Sequence, residues 1–148
     1  MNIVSIIIII ALLLLPIYAI IFIFIPFIFG ASYEGSKKEF VESMTRLTKP
    51  KKGEKIADLG SGDGRIVIAF AKLGLESHGY EVNPLLVLFS KFKIRRSNLQ
   101  GKAFIHWKNF WNEDLSKFNI INVFQINYLM PKLEKKLGCE LSRGSRIV

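Results

Sequence analysis

Apolar and polar positions divide this chain into two unlike parts. From Ile3 to Phe29 every residue is apolar except Ser5, Pro16, Tyr18 and Pro26, and no charged residue occurs between Met1 and Gly30. Such a run needs no periodicity, because about 20 consecutive apolar residues cross a hydrocarbon core as a single helix. One span fits the length, and two do not. A cleaved signal peptide would need a positively charged start and a shorter apolar core, and Met1-Asn2 carries neither Lys nor Arg. Pro16 should kink the helix, which a membrane tolerates when the freed carbonyl finds another partner.

Beyond the run the apolar positions become periodic. Phe40, Val41, Met44 and Leu47 predict a short amphipathic helix over Lys37 to Leu47, with Ser36 as N-cap and Glu39 completing a capping box. Lys55 to Leu59 reads as a strand, and Gly64 to Leu73 as a helix that Gly74 closes. A second strand spans Ser77 to Tyr80. Asn83 and Pro84 then open a helix as N-cap and first residue; it runs apolar through Leu85 to Phe89, Phe92 and Ile94. Ala103 to Trp107 and Asn119 to Gln125 make strands three and four, Pro131 to Leu141 a helix, and Arg146 to Val148 a fifth strand. Strands alternating with helices predict an α/β fold built on a mostly parallel, doubly wound, Rossmann-like sheet. The expected organisation is a transmembrane helix over 1–30, a linker with the amphipathic helix over 31–54, and a ligand-binding domain over 55–148.

All 21 Lys and Arg and all 12 acids lie after residue 30, so the part outside the apolar run carries the whole net charge of +9. That field favours an anionic surface. Lys37, Lys38, Arg46 and Lys49 follow the run closely enough to set its orientation, with the domain on the cytoplasmic side. Lys91, Lys93, Arg95 and Arg96 form either a solvated helix face or a docking patch for lipid or an acidic substrate. A nucleic-acid partner is not expected, since that reading would rest on charge alone. A single cysteine, Cys139, excludes an internal disulfide, and with only His78 and His106 in addition no structural zinc site is expected.

The candidate chemistry sits in Asp58-Leu59-Gly60-Ser61-Gly62-Asp63-Gly64-Arg65, between the first strand and its helix. Glycines there allow a sharp turn and a close approach of ligand to backbone N–H groups. The spacing is neither G-x-G-x-x-G nor that of a P-loop. Asp58 precedes the first glycine and Glu81 ends the second strand, both at carboxyl strand ends beside the crevice where α/β sheets bind ligands. An acid at Glu81 suits ribose hydroxyls, and one at Asp58 can hold the turn or face an ammonium group. Together they suit S-adenosylmethionine better than a pyrophosphate.

The D-x-G-x-G-x-G loop resembles motif I of class I (seven-β-strand) S-adenosylmethionine-dependent methyltransferases. The longer stretches Asp58 to Ala69, Gly79-Tyr80-Glu81-Val82-Asn83-Pro84-Leu85 and Leu133-Glu134-Lys135-Lys136-Leu137 are similar to membrane-anchored protein-lysine methyltransferases, which in mitochondria modify the ATP synthase c-subunit and have prokaryotic relatives. The resemblance implies a cofactor site of Asp58, Gly60, Ser61, Gly62, Gly64, Arg65, Glu81 and Asn83. It adds Asn109, where the family has an acid facing the adenine amino group, and Tyr33, which with Ser36 matches a Tyr-x-Pro-Ser/Thr segment whose proline is Gly35 here. Gln125, Asn127 and Tyr128 stand where the methyl-accepting nitrogen is expected, in a stretch that departs from the family's Gly-Val-Pro. The implied reaction is methylation of a protein lysine at a membrane. A lipid or small-molecule acceptor, or a non-catalytic cofactor-binding remnant, would use the same loop. Strands six and seven of the complete class I sheet are expected to be absent, leaving an unfinished edge.

Overall fold

A computed structural model describes residues 2–29, 38–124 and 129–148, with side chains for 2–21, 41–124 and 129–148. Tyr33, Ser36, the side chain of Glu39, and Gln125, Asn127 and Tyr128 lie outside the described residues.

The apolar run forms one helix, α1 (Ile3–Phe29), started by Asn2, whose Oδ1 accepts from the Ser5 backbone N–H at 2.8 Å. Its Ile3–Ile21 stretch is long and apolar enough to cross a membrane and is 0% buried against the rest of the molecule. Near the end of that stretch the Tyr18 hydroxyl stands 3.5 Å from Asn83 Oδ1.

The remainder alternates as the periodicity predicts, with ends shifted by a residue or two. The elements are α2 (Lys38–Thr48), β1 (Lys55–Leu59), α3 (Arg65–Lys72), β2 (Glu76–Glu81) and α4 (Pro84–Arg96), followed by β3 (Ala103–Trp107), β4 (Ile120–Val123), α5 (Met130–Glu140) and β5 (Arg146–Ile147). A 3-10 turn at Phe110–Asn112, not anticipated from the pattern, stands between β3 and β4. Strand four is shorter than expected, and just before it the Asn119 side chain accepts from the Lys55 backbone N–H at 2.8 Å.

The five strands form one wholly parallel sheet in the order β3-β2-β1-β4-β5. Two crossovers carry the chain outward from β1 to β3, and it then returns to β4 on the other side of β1. This reversal opens a crevice at the carboxyl ends of β1 and β4, where doubly wound sheets bind ligands. Alternation along β1 sends Ile56 to one face and Ala57 and Leu59 to the other. Ile56 packs with Ile120, Val41 and Met44 of α2, and Ile66 and Phe70 of α3. Ala57 and Leu59 pack with Tyr80, Phe118 and Ile121 under Leu133 and Leu137 of α5. Helices therefore cover both faces.

The run after Pro84 predicts an apolar helix with its cations on the outer face. In the structure the sheet side of α4 is made by Val87, Ser90 and Ile94, whereas Leu85, Leu88, Phe89 and Phe92 are exposed. The short helix has apolar residues on opposite arcs, and the sheet covers only one.

Candidate active site

The loop between β1 and α3 is shaped by glycine. Gly60, Gly62 and Gly64 all lie at left-handed φ, 82°, 54° and 74°, a region other residues rarely enter. At Gly64 there is a second reason: a Cβ there would fall 2.9 Å from the Cβ of Ser90 on α4. This glycine lets α4 approach the start of α3, and Ser90 Oγ donates to the Gly62 carbonyl at 3.0 Å. The loop is anchored behind by Gly60 and Ser61, whose N–H groups both donate to the Tyr80 carbonyl at 3.0 Å.

Glu81 ties the loop to the end of β2. Its Oε2 accepts from the Gly62 N–H at 2.9 Å, and its Oε1 accepts from the N–H groups of Val82 and Asn83, each at 2.8 Å. A carboxylate offers about four acceptor positions, so roughly one remains, on Oε2. Glu81 can therefore take a ligand hydroxyl without releasing the backbone it holds. Asn83 caps α4, its Oδ1 accepting from the Leu85 N–H at 3.0 Å; this places the α4 N-terminus at the same crevice.

Asp58 lies on the α3 side of β1, directly opposite Asn122 of β4. Its Oδ1 accepts from Asn122 Nδ2 at 2.6 Å. Asp58 Oδ2, Ser61 Oγ and Asn122 Oδ1 are buried without a partner among the described residues. Buried polar groups are normally satisfied, so three such atoms at one turn mark spare hydrogen-bonding capacity. Burial, with the charges of Glu81 and Asp63 adding to it against the Asn122 hydrogen bond, pushes the Asp58 carboxyl up to about 7. An ammonium group beside it would reverse that balance. Asn122 is the functional candidate that sequence reasoning missed. An Asn inside a short apolar strand was the available signal, but only the strand order sets it against Asp58.

Asp63 is held differently. Its carboxylate accepts from Arg65 Nε at 2.8 Å and from Lys93 Nζ of α4 at 3.0 Å. Burial alone would raise its pKa, but the hydrogen bonds and charges of Arg65 and Lys93 outweigh it and hold the carboxyl below the usual range. The Arg65 guanidinium thus closes on Asp63, bracing the loop from its outer side. Lys93, expected on a solvated helix face or in a docking patch, is the second brace.

Asn109 follows β3 and caps the 3-10 turn, its Oδ1 accepting from the Trp111 N–H at 3.1 Å. Phe110 is buried and Trp111 half-buried, with ring centroids 4.9 Å apart. The two histidines meet on the opposite face of the sheet, His78 Nδ1 standing 2.9 Å from His106 Nε2. They are sheet residues away from the loop.

The arrangement fits S-adenosylmethionine: a carboxylate with an unfilled acceptor position at the end of β2, a buried carboxylate with one oxygen unpartnered among the described residues at the end of β1, and a glycine turn between them. Comparison with known proteins agrees. Residues 58–148 match the profile of the ANTKMT methyltransferase domain. The chain is 39% identical over 108 residues to the ATP synthase c-subunit lysine N-methyltransferase of Mus musculus, covering 73% of this chain and 43% of that protein. It is 35% identical over 125 residues to the adenine nucleotide translocase lysine N-methyltransferase of the same species, covering 84% of this chain and 54% of that one. A protein-lysine N-methyltransferase of Saccharolobus islandicus is 30% identical over 118 residues, 78% of this chain and 73% of its own length. Among solved structures, an RNA methyltransferase from Salinibacter ruber in complex with S-adenosyl-L-homocysteine superposes with a TM-score of 0.74 at 26% identity, over 77% of this chain and 75% of that one. The chain spans less than two thirds of the length of the ATP synthase c-subunit methyltransferases it matches.

Proposed function

Since this chain belongs to the family of the ANTKMT methyltransferase domain, we propose that it transfers a methyl group from S-adenosylmethionine to a lysine side chain of a protein, held at a membrane by α1. The observation that carries this reading is the pair of carboxylates, Asp58 and Glu81, set across a glycine turn at the point where the strand order reverses. The relatives named for lysine methylation of the ATP synthase c-subunit and of adenine nucleotide translocase supply the acceptor class.

Each residue has a task in this reading. Glu81 holds the Gly62 N–H and offers its open Oε2 position to a ribose hydroxyl. Asp58, steadied by Asn122, faces the cofactor's ammonium group. Asn109 stands at the adenine end, with Gly60, Ser61, Gly64, Arg65 and Asn83 shaping the cleft. When bound, the cofactor supplies a methyl group already activated by its sulfonium. The protein therefore needs alignment and exclusion of water more than a strong base. Tyr33 completes the proposal on the cofactor side, and Gln125, Asn127 and Tyr128 on the acceptor side. The same reading divides the chain into an anchor over 1–30, a linker with α2 over 31–54 and the cofactor-binding domain over 55–148, on the cytoplasmic side.

The experiment incubates the full chain with membranes and S-adenosylmethionine labelled in the methyl group, then hydrolyses the labelled fraction. Label recovered as methyl-lysine in a protein, and lost with Gly62→Ala, is expected. Label in the lipid extract or in nucleic acid, or none with folded enzyme, would replace this acceptor class.

A further inference from the structure

We propose that the outward face of α4 seats the protein on an anionic phospholipid surface, a second membrane contact besides α1. The inference rests on the membrane tether proposed above.

Leu85, Leu88, Phe89 and Phe92 stand 49%, 63%, 52% and 58% exposed. At 3.6 residues per turn they share about 100° of arc, opposite the arc of Val87, Ser90 and Ile94 that meets the sheet. Surface residues this apolar are ordinary when scattered, but four on one stripe mark a contact surface. The flanks are basic. Lys91 and Arg95 border the stripe on one side and Lys93 on the other, Arg96 closes its end, and α4 contains no acid. Trp107, 65% exposed, extends the patch from the end of β3, its Nε1–H donating to the Val82 carbonyl at 3.0 Å. An apolar stripe edged by Lys and Arg, with an amphipathic aromatic beside it, is the chemistry of an interfacial helix on anionic lipid.

Two observations favour a bilayer as the occupant. The Tyr18 hydroxyl lies 3.5 Å from Asn83 Oδ1, the cap of α4, and Tyr18 is close to the end of the Ile3–Ile21 stretch, so the apolar helix runs beside the start of the patch. That helix leaves the patch open, its own stretch being 0% buried. The second observation is charge: a net +9 lies outside α1, attracted to an anionic leaflet. Seating on α4 would place the crevice between Glu81 and Asp58 at headgroup level, where a lysine at the edge of a membrane protein is presented.

Tryptophan fluorescence tests this on the full chain. The chain has two tryptophans, so Trp111→Phe leaves Trp107 as reporter. The protein is reconstituted into nanodiscs of phosphatidylcholine with phosphatidylglycerol, with acyl chains brominated near the headgroups or unmodified. Trp107 should be quenched by brominated lipid, and quenching should fall about threefold or more in Leu88→Ser/Phe89→Ser/Phe92→Ser and in Lys91→Glu/Arg95→Glu/Arg96→Glu. The charge-reversed variant keeps the test open should the serine variant melt early by circular dichroism. Unquenched Trp107 in protein that resists carbonate extraction would overturn the docking while leaving the tether intact. Quenching unchanged in both variants, or a patch buried in a dimer, would overturn it equally. Titration of S-adenosylmethionine into the same discs reads the cofactor site separately, so that failure there is not mistaken for failure of docking.

Discussion

Asp58→Asn removes a buried electrostatic liability of the site while keeping its shape. The carboxyl is buried, one oxygen accepts from Asn122, and the other has no partner among the described residues. Its pKa rises from 3.8 to about 7, chiefly through burial, so the folded protein holds a proton that the unfolded chain releases between those values. The sign follows directly: stability contributed by this group is present below about pH 4 and is lost as pH rises towards 7. The displacement corresponds to on the order of 4 kcal/mol. The substituted amide stays neutral, can still accept from Asn122 Nδ2, and can donate to Asn122 Oδ1. The variant should therefore match the parent near pH 4 and exceed it at pH 8, by on the order of 10 °C in Tm for a chain of this size. Circular dichroism melts of the detergent-solubilised full chain, parent and variant, from pH 4 to 8 measure the difference; comparing the two at each pH cancels the opposing titration of His106, whose pKa is lowered mainly by burial. A difference that does not change with pH would refute the reasoning, because Asp58 would then titrate alike in folded and unfolded states. The same variant should bind S-adenosylmethionine more weakly, since the ammonium loses its counter-charge.

Other perturbations separate holding the loop from holding the ligand. Glu81→Gln replaces one carboxylate oxygen with an amide donor and should weaken S-adenosylmethionine binding by roughly 10- to 100-fold, the scale of a charged hydrogen bond; calorimetric titration reads this, and unchanged affinity would remove Glu81 from the site. Gly64→Ala meets Ser90 Cβ at 2.9 Å and forces alanine to φ 74°, costing about 1–3 kcal/mol. Adding Ser90→Gly should restore only part of that in urea unfolding, because the backbone strain remains, and full restoration would show that the clash was the whole effect.

Much of the fold is legible in one dimension because it depends on local order. The periods of apolar residues separate strands from helices, Asn83-Pro84 starts α4 and Gly74 ends α3 whatever lies nearby. The glycine turn and its two acids are also legible, since the left-handed backbone at Gly60, Gly62 and Gly64 restricts residue type locally. The bond that Arg65 makes to Asp63 depends on the fold of the loop and is not read from residue type alone. Lys93, the second cation on Asp63, lies 30 residues further along the chain, at a spacing no local pattern links to the loop. The outward stripe of α4 escapes the sequence because a helix apolar on two arcs does not announce which arc the sheet will take.

What the amino-acid order settles here is the inventory: an apolar helix, alternating elements, and a turn that only glycine can make between two carboxylates. What it leaves to tertiary structure is adjacency. Asn122 is an unremarked polar residue in an apolar strand until the chain doubles back and lays β4 against β1. Then it becomes the partner of Asp58, and its own oxygen, unpartnered among the described residues, joins the candidate site. The physical reason is that strand pairing is chosen by burial of whole faces rather than by any single residue. The electrostatics of the cleft follow from that pairing, because desolvation belongs to the assembled site and not to the aspartate alone.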